Sequence, residues 1–186
     1  SACDPDVSFD GSRFLFAGKR SADDVWNIFE MTIADLSVRQ VTDQAGNCRS
    51  PIYQSTLFTL DSPEPWYQLT FISDAAGTRN EDGCGLATHL YSCKLDGSTV
   101  RRLTYNVSSD FDPFLMQDGR LLFSSWQRST FERGARGRVR LFGVNLDGTD
   151  HALFADPTGP AIQHMPCVTP SGWVVFVAAD QVPWDG

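Results

Sequence analysis

Two pairs of aspartates next to prolines are the residues in this sequence best suited to binding a metal ion. Asp4 and Asp6 flank one proline, and Asp110 and Asp112 precede another. Carboxylate oxygens are the ligands that Ca²⁺ prefers, in sets of about six to eight. The two pairs therefore form a candidate Ca²⁺ site if the fold brings them together. The alternative is that each aspartate accepts hydrogen bonds from backbone N–H groups of its own turn.

A cluster of arginines contrasts with the overall charge of the chain, which is −8. Guanidinium groups bind carboxylates and phosphates through paired hydrogen bonds. The cluster therefore predicts a contact surface for an acidic partner, and the alternative is a solvated loop whose charges keep a connection soluble. Its five members, with one acid among them, are Arg128, Arg133, Arg136, Arg138 and Arg140.

Cysteine and histidine residues offer little further chemistry. Cys84 lies in a Gly-rich loop and Cys93 on the strand that follows, so the two are candidates for a disulfide; alternatively, Cys93 is a small core residue. The five cysteines match no zinc spacing, and the three histidines are far apart in sequence. The motifs HExxH, GxSxG and CxxCH are absent, so the sequence predicts no catalytic residue and no cofactor other than the candidate Ca²⁺.

Short strands joined by tight turns must position these side chains. Two apolar runs, Leu90–Leu95 and Val100–Thr104, flank Asp96-Gly97. An Asp-Gly pair predicts a hairpin turn in which both central residues have positive φ. Polar and apolar side chains alternate along the first run, which indicates a strand with one buried face.

The strands belong to a cassette that repeats along the chain. Its first half is a proline, a turn with Asp or Ser before Gly, and an apolar strand that ends in Phe. Its second half is an aromatic-containing strand, a turn and an outer strand. Copies of the first half begin at Pro5, Pro113 and Pro166, and a degenerate copy begins at Pro51. Repeats of this size predict β-propeller blades, which take about 40–50 residues each plus loop insertions.

The predicted fold is therefore all-β, a single partial β-propeller over residues 1–186 with four-stranded antiparallel blades. Three full blades span about 3–42, 48–105 and 110–154, and an incomplete one spans 163–186. The first strand of each blade lines the central channel, which is where the aspartate pairs belong. An incomplete fourth blade leaves apolar flanks open on blades one and four, so we expect further blades, a second copy or another subunit to cover them.

The segments DPDVSFDGSRFLF and DPFLMQDGRLLF resemble the WD40-like PD40 repeat of TolB-type propellers. The run from Arg79 to Trp126 resembles more narrowly the propeller domain of hydrazine synthase α-subunits and their bacterial relatives. The likeness implies a periplasmic or extracellular propeller. In that family the haems are attached outside the propeller, so the resemblance carries no catalytic residue to this chain.

Composition excludes some classes of function. A chain of 186 residues with pI near 4.7 is not suited to general nucleic-acid binding, which favours basic faces. No apolar run approaches the ~18 residues of a membrane span, so any membrane association is expected to be peripheral, through a complex. The leading hypothesis is a non-catalytic interaction or scaffold subunit of an extracytoplasmic complex. The alternative is a propeller domain of a larger, haem-containing enzyme like hydrazine synthase α.

Overall fold

A computed structural model describes residues 1–43, 46–57, 65–80, 83–128, 137–154 and 158–180. In these ranges the chain forms fourteen strands and no helix, so it has no helical segment there that could span a membrane. Turn residues interrupt the apolar alternation every few positions, which favours short strands over helices.

The first two sheets are four-stranded and antiparallel, with the strands in sequence order. Each antiparallel pair joins two strands that are consecutive in the sequence. The first sheet contains β1 (Ala2–Val7), β2 (Arg13–Gly18), β3 (Asn27–Thr32) and β4 (Val38–Gln40). The second contains β5 (Cys48–Leu57), β6 (Trp66–Ser73), β7 (His89–Lys94) and β8 (Arg101–Arg102).

The third sheet joins a full blade to the beginning of another. Its strands are β9 (Asp110–Leu115), β10 (Leu121–Gln127), β11 (Arg138–Val144), β12 (Ala152–Leu153), β13 (Ile162–Val168) and β14 (Val174–Ala179). Strands β9 to β12 are antiparallel neighbours in sequence order, and β13 meets β11 in parallel at a single residue pair, Val139 with Ile162. Strand β14 pairs with β13 and has no further neighbour among the described strands.

The sheets follow one another as propeller blades around an axis, and the predicted fold class is confirmed. The innermost strands β1, β5, β9 and β13 contact each other in that order. The innermost strand of blade two runs over Cys48–Leu57.

The Asp96-Gly97 turn uses a different mechanism from the predicted one. Only Gly97 of the pair has positive φ, at 85°. Asp96 instead accepts hydrogen bonds at one carboxylate oxygen from the backbone N–H (2.9 Å) and the hydroxyl (2.6 Å) of Ser98. This side-chain bracket imitates a backbone turn, so Asp does not need to take a left-handed conformation.

Three apolar clusters fill the spaces between successive blades. Between blades one and two, Leu15, Ala17 and Ile28 pack against Leu69 and Phe71. The cluster between blades two and three includes Leu90, Leu121 and Phe123, and a smaller one between blades three and four is built on Val139 and Ile162. Each blade is therefore held mainly by the apolar face of the next.

Candidate binding site at the propeller axis

Each innermost strand carries the same irregularity at the residue before its proline. Asp4, Ser50, Asp112 and Met165 have φ between 48° and 55°, although none is glycine. The antiparallel register of each strand with its neighbour shifts at the same place, which marks a β-bulge. Left-handed residues other than glycine cost of order 1–3 kcal/mol unless the surroundings hold them, and they cluster at functional sites.

The four bulges surround a cavity of about 280 Å³ at the axis. The residues that line it include Asp4, Asp6, Asp112 and Met165. Asp110, the fourth predicted ligand, is not in the wall. The fold therefore brings three of the four predicted carboxylates to one place.

These carboxylates bind the next blade. Asp4 Oδ2 accepts a hydrogen bond from the backbone N–H of Ser50 (3.1 Å), and Asp112 Oδ2 accepts one from that of Met165 (3.0 Å). Asp6 Oδ2 accepts a bond of 2.7 Å from the N–H of Tyr53. The sequence-based alternative was that each aspartate accepts hydrogen bonds from backbone N–H groups of its own turn. The aspartates do accept from backbone N–H groups, but these groups belong to the neighbouring blade.

Arg49 distinguishes Asp4 electrostatically from the other two aspartates. The Nε of Arg49 lies 2.9 Å from Asp4 Oδ2. Burial alone would raise the pKa of Asp4, but the hydrogen bonds from this guanidinium and from the Ser50 N–H outweigh burial, so the pKa is lowered. Burial dominates at Asp6 and Asp112 and raises their pKa values, against the opposing N–H bonds. The cavity thus combines one stable anion with two carboxyls that are easier to protonate.

The Ca²⁺ site stays a prediction. Over the part of the chain that the structure describes, no group of three or more His, Cys, Asp or Glu side chains is arranged to hold a metal ion. Ca²⁺ needs about six to eight oxygens, and one oxygen of each of these three carboxylates already accepts from an N–H group.

Asp110 lies in a different environment, between blades two and three. It is fully buried, and its Oδ1 accepts hydrogen bonds from Ser125 Oγ (2.6 Å) and Asn106 Nδ2 (3.2 Å). The main-chain carbonyl of Asn106 lies 3.0 Å from Nε2 of the buried His89. Asp110 therefore belongs to a polar network inside the blade interface.

The predicted arginine surface is only partly described. Arg133 and Arg136 lie outside the described residues, Arg138 is half-buried at the start of β11, and the exposed Arg128 donates to the Arg79 carbonyl (2.9 Å). The prediction that Arg140 belongs to an exposed contact surface is wrong, because this residue is 2% exposed and its guanidinium donates to the carbonyls of Pro160 and Gly159. For the rest of the cluster, partner binding stays a prediction.

The two candidate disulfide cysteines differ in environment. Cys84 is exposed on its loop, whereas Cys93 lies in the core between blades one and two, where burial raises its pKa to about 12. No disulfide joins these two residues. The alternative, that Cys93 is a small core residue, describes what the structure shows.

The sequence pattern did not identify Ser50, Tyr53 and Met165, whose backbone N–H groups donate hydrogen bonds to the aspartates. The one signal for the bulges was the repeated proline itself. Side-chain chemistry alone does not reveal these residues, because main-chain atoms make the contacts.

Comparison with known proteins agrees with this architecture. No family model matches the chain. The α-subunit of hydrazine synthase from Kuenenia stuttgartiensis is 30% identical over 190 residues, a match that covers 80% of this chain and 23% of that protein. The chain thus spans less than a quarter of the curated relative it matches.

Solved structures show the same relationship. The hydrazine synthase structure from Kuenenia stuttgartiensis superposes with a TM-score of 0.78 at 26% identity, over 96% of this chain and 29% of that one. A putative TolB from Agrobacterium tumefaciens gives 0.62 at 23% identity, covering 82% of this chain and 48% of that one. TolB from Acinetobacter baumannii gives 0.63 at 18% identity, covering 95% and 40%. The chain therefore has the blade architecture of TolB-type β-propellers, and in sequence and structure it is similar to part of hydrazine synthase.

Proposed function

We propose that this chain is a non-catalytic interaction and scaffold module of a larger complex. In this complex, a further blade-like protein surface docks on the exposed sheet face of blade four, which points away from blade three. The observation that carries the proposal is the exposure of alternate apolar side chains on β14. Val175 is 52% and Val177 46% exposed, although both stand in a regular strand. Apolar faces of this kind on soluble proteins mark interaction sites.

The repeat identifies the kind of surface that fits this face. Val175 and Val177 correspond in register to Leu15 and Ala17 of blade one, as shown by their pairing positions on the innermost strands. Leu15 and Ala17 are fully buried against blade two. Leu122, the counterpart of Val175 in blade three, is fully buried as well. The exposed face of blade four therefore corresponds to the face of blades one and three that the next blade in the chain covers.

The opposite flank of blade one supports the same proposal. Phe14 and Phe16 occupy the places that Leu121 and Phe123 take in blade three, where those residues are fully buried against blade two. Here Phe14 and Phe16 remain half-buried, and their rings contact each other in a tilted arrangement with 5.7 Å between centroids. Both flanks of the row of blades therefore present apolar residues.

Sedimentation velocity on the 186-residue chain tests the proposal. We expect the chain to self-associate, because two unfilled apolar faces are available to each other. The double substitution V175D and V177D should reduce association, since it places charges on the docking face. V107D is the matched control, because Val107 is 65% exposed outside this face. A monomeric wild-type chain that unfolds cooperatively would contradict the proposal.

A second candidate function is a propeller domain within a larger enzyme. The observation that favours it is the match to the hydrazine synthase α-subunit, of which this chain covers 23%. The reading frame of the gene around these residues tests it. A CxxCH haem motif or a catalytic domain in the same polypeptide would support the enzyme domain, and a separate stoichiometric subunit would support the scaffold.

An extracytoplasmic location belongs to the same proposal. Its support is the likeness to TolB propellers, which the structural comparison shows as a likeness of fold. Fractionation of the native cells tests it, and recovery of the protein with cytoplasmic markers would contradict it.

A further inference from the structure

A groove between blades one and two has features that the scaffold role leaves unexplained. It encloses about 200 Å³ at the end of the blades where the β1–β2 turn meets β5 and β6. Its walls are mostly the carbon surfaces of Phe9, Tyr53, Tyr67 and Leu95. It is separate from the open face of blade four, so the two proposals are tested independently.

Two buried glutamine side chains line this groove with unsatisfied amide atoms. Gln54 is 3% and Gln68 2% exposed, and they face each other across paired strands. Within the part of the chain that the structure describes, both polar amide atoms of Gln54 and the Nε2 of Gln68 have no hydrogen-bond partner. A buried polar group left unpaired costs about 1–3 kcal/mol, so such groups are expected to serve a ligand or another specific purpose.

The other polar groups of the groove are mostly engaged already. The Tyr53 hydroxyl donates to Glu30 (2.9 Å), and one Asp10 oxygen accepts from Ser8 and from Ser12. Arg13 also lines the groove, and its guanidinium makes one long contact, 3.7 Å, with Glu30. Glu30 is bound more closely by Arg39, at 2.6 Å, so Arg13 retains donors for a ligand.

The groove therefore offers several donors, on Arg13 and on the two glutamine amides, together with acceptors that include Gln54 Oε1 and the second carboxylate oxygen of Asp10. They complement a ligand with a carboxylate, one nearby N–H group and an apolar side chain. That combination is the C-terminal residue of a peptide, and proteins capture peptide C-termini through such donor sets. A sugar is a poorer match, because a neutral ligand makes no ion pair with Arg13 and the walls are mainly apolar.

We propose that this groove binds the C-terminal residue of a partner peptide. Arg13 and the amide nitrogens of Gln54 and Gln68 bind the carboxylate, and Gln54 Oε1 accepts the peptide N–H. The apolar side chain lies between Phe9 and Tyr67, which are 75% and 67% exposed at the rim. These rings are held by little packing and move aside so that the ligand reaches the shielded amides.

The probe is N-acetyl-leucine, compared with its neutral analogue N-acetyl-leucinamide. In ¹⁵N-labelled protein we expect the side-chain amide signals of Gln54 and Gln68 to shift saturably with N-acetyl-leucine. The leucinamide should bind about tenfold more weakly, because it loses charge-assisted hydrogen bonds. Methyl glucoside should produce no saturable shift.

Substitutions separate a ligand-binding amide from a structural one. Q54M should weaken N-acetyl-leucine binding about tenfold and leave thermal stability equal or higher, since an apolar group of similar shape replaces an unpaired amide. Y67A should also weaken binding, whereas Y105A, which removes a comparably exposed ring elsewhere, should not.

Several outcomes would overturn the proposal. They are the absence of a saturable shift with N-acetyl-leucine, equal affinity for the acid and the amide, tighter binding of methyl glucoside, and a loss of stability in Q54M without a loss of binding. None of these results depends on whether the chain self-associates through blade four.

Discussion

Asp110 shows how a single buried carboxyl contributes to the interface between blades two and three. One of its oxygens accepts from Ser125 and Asn106, whereas Oδ2 is buried without a hydrogen-bond partner. Burial raises the pKa of this carboxyl above its usual 3.8, although its hydrogen bonds and the nearby His89 act in the opposite direction. The ionised form is therefore poorly accommodated in the folded protein.

We predict that D110N changes how stability depends on pH. The folded-state pKa of Asp110 is raised, so its favourable contribution is fully present below pH 3.8 and is lost as pH rises through the raised pKa. Asn does not titrate. The free energy of unfolding of D110N minus that of the wild type should therefore increase with pH over this window, as measured by urea unfolding at a series of pH values.

D96N is the control for this prediction. Hydrogen bonds from Ser98 lower the pKa of the exposed Asp96, so its contribution is present above pH 3.8 and is lost as pH falls through the lowered pKa. The stability difference between D96N and the wild type should therefore change with pH in the opposite direction. If D110N and D96N behave alike, the buried network does not control the titration of Asp110.

The geometry of the bulges explains why three of the four predicted aspartates line the cavity at the axis and Asp110 does not. Residues two apart on a regular strand point to the same face, which would place Asp110 and Asp112 together. Asp112 has φ of 51°, so the strand turns there and the two side chains diverge. A proline marked the position, but no shared side chain marks the left-handed residue before it, which is Asp4, Ser50, Asp112 or Met165 in the four blades.

At the scale of strands and turns, two glycines hold successive blades in close approach. Gly97, in the turn between β7 and β8, faces the carbonyl of Val41 at the end of blade one, and a methyl group there would overlap that oxygen. Gly148 takes the same place in blade three, where a methyl group would lie 3.1 Å from the Leu103 carbonyl. The turn of each blade therefore packs on the preceding blade's outer edge.

We predict that G97A destabilises the protein more than G119A. Both glycines have nearly the same φ, 85° and 86°, so both substitutions carry the same left-handed strain. Nothing lies within 4 Å of a methyl group at Gly119, so the difference isolates the overlap with Val41. We expect G97A to cost about 1–3 kcal/mol more in urea unfolding, as overpacking does. Equal losses would mean that the blades separate without cost at this contact.

The hairpins themselves were predictable from sequence, but their contacts were not. Asp-Gly pairs predicted the turns at Gly97, Gly119 and Gly148, and each of these glycines has positive φ. The same dipeptide gives no sign that Gly97 and Gly148 touch another blade whereas Gly119 does not. That distinction arises from the stacking of blades, which local propensity does not describe.

At the scale of the whole molecule, the blades follow one another in a row, and in the described ranges the strands of each blade contact only those of the neighbouring blades. Blades two and three are covered on both faces by apolar clusters, whereas blade four has one covered and one exposed face. In repeat architectures of this kind, stability is approximately a sum of unit terms and nearest-neighbour interface terms. The row should therefore be less stable at its open flank than at its centre.

We predict a gradient of amide hydrogen exchange along the chain. Backbone amides in β6, β7 and β10 should exchange only through global unfolding, because their blades are covered on both sides. Those in β13 and β14 should exchange at a lower free energy, since one interface holds them. D112A should lower protection in β13 further, because Asp112 accepts the Met165 N–H across that interface, whereas D118A, at an exposed turn, should not. Exchange at one common free energy throughout would show instead that the blades unfold as a single unit, so the interface between blades three and four would be as strong as those at the centre.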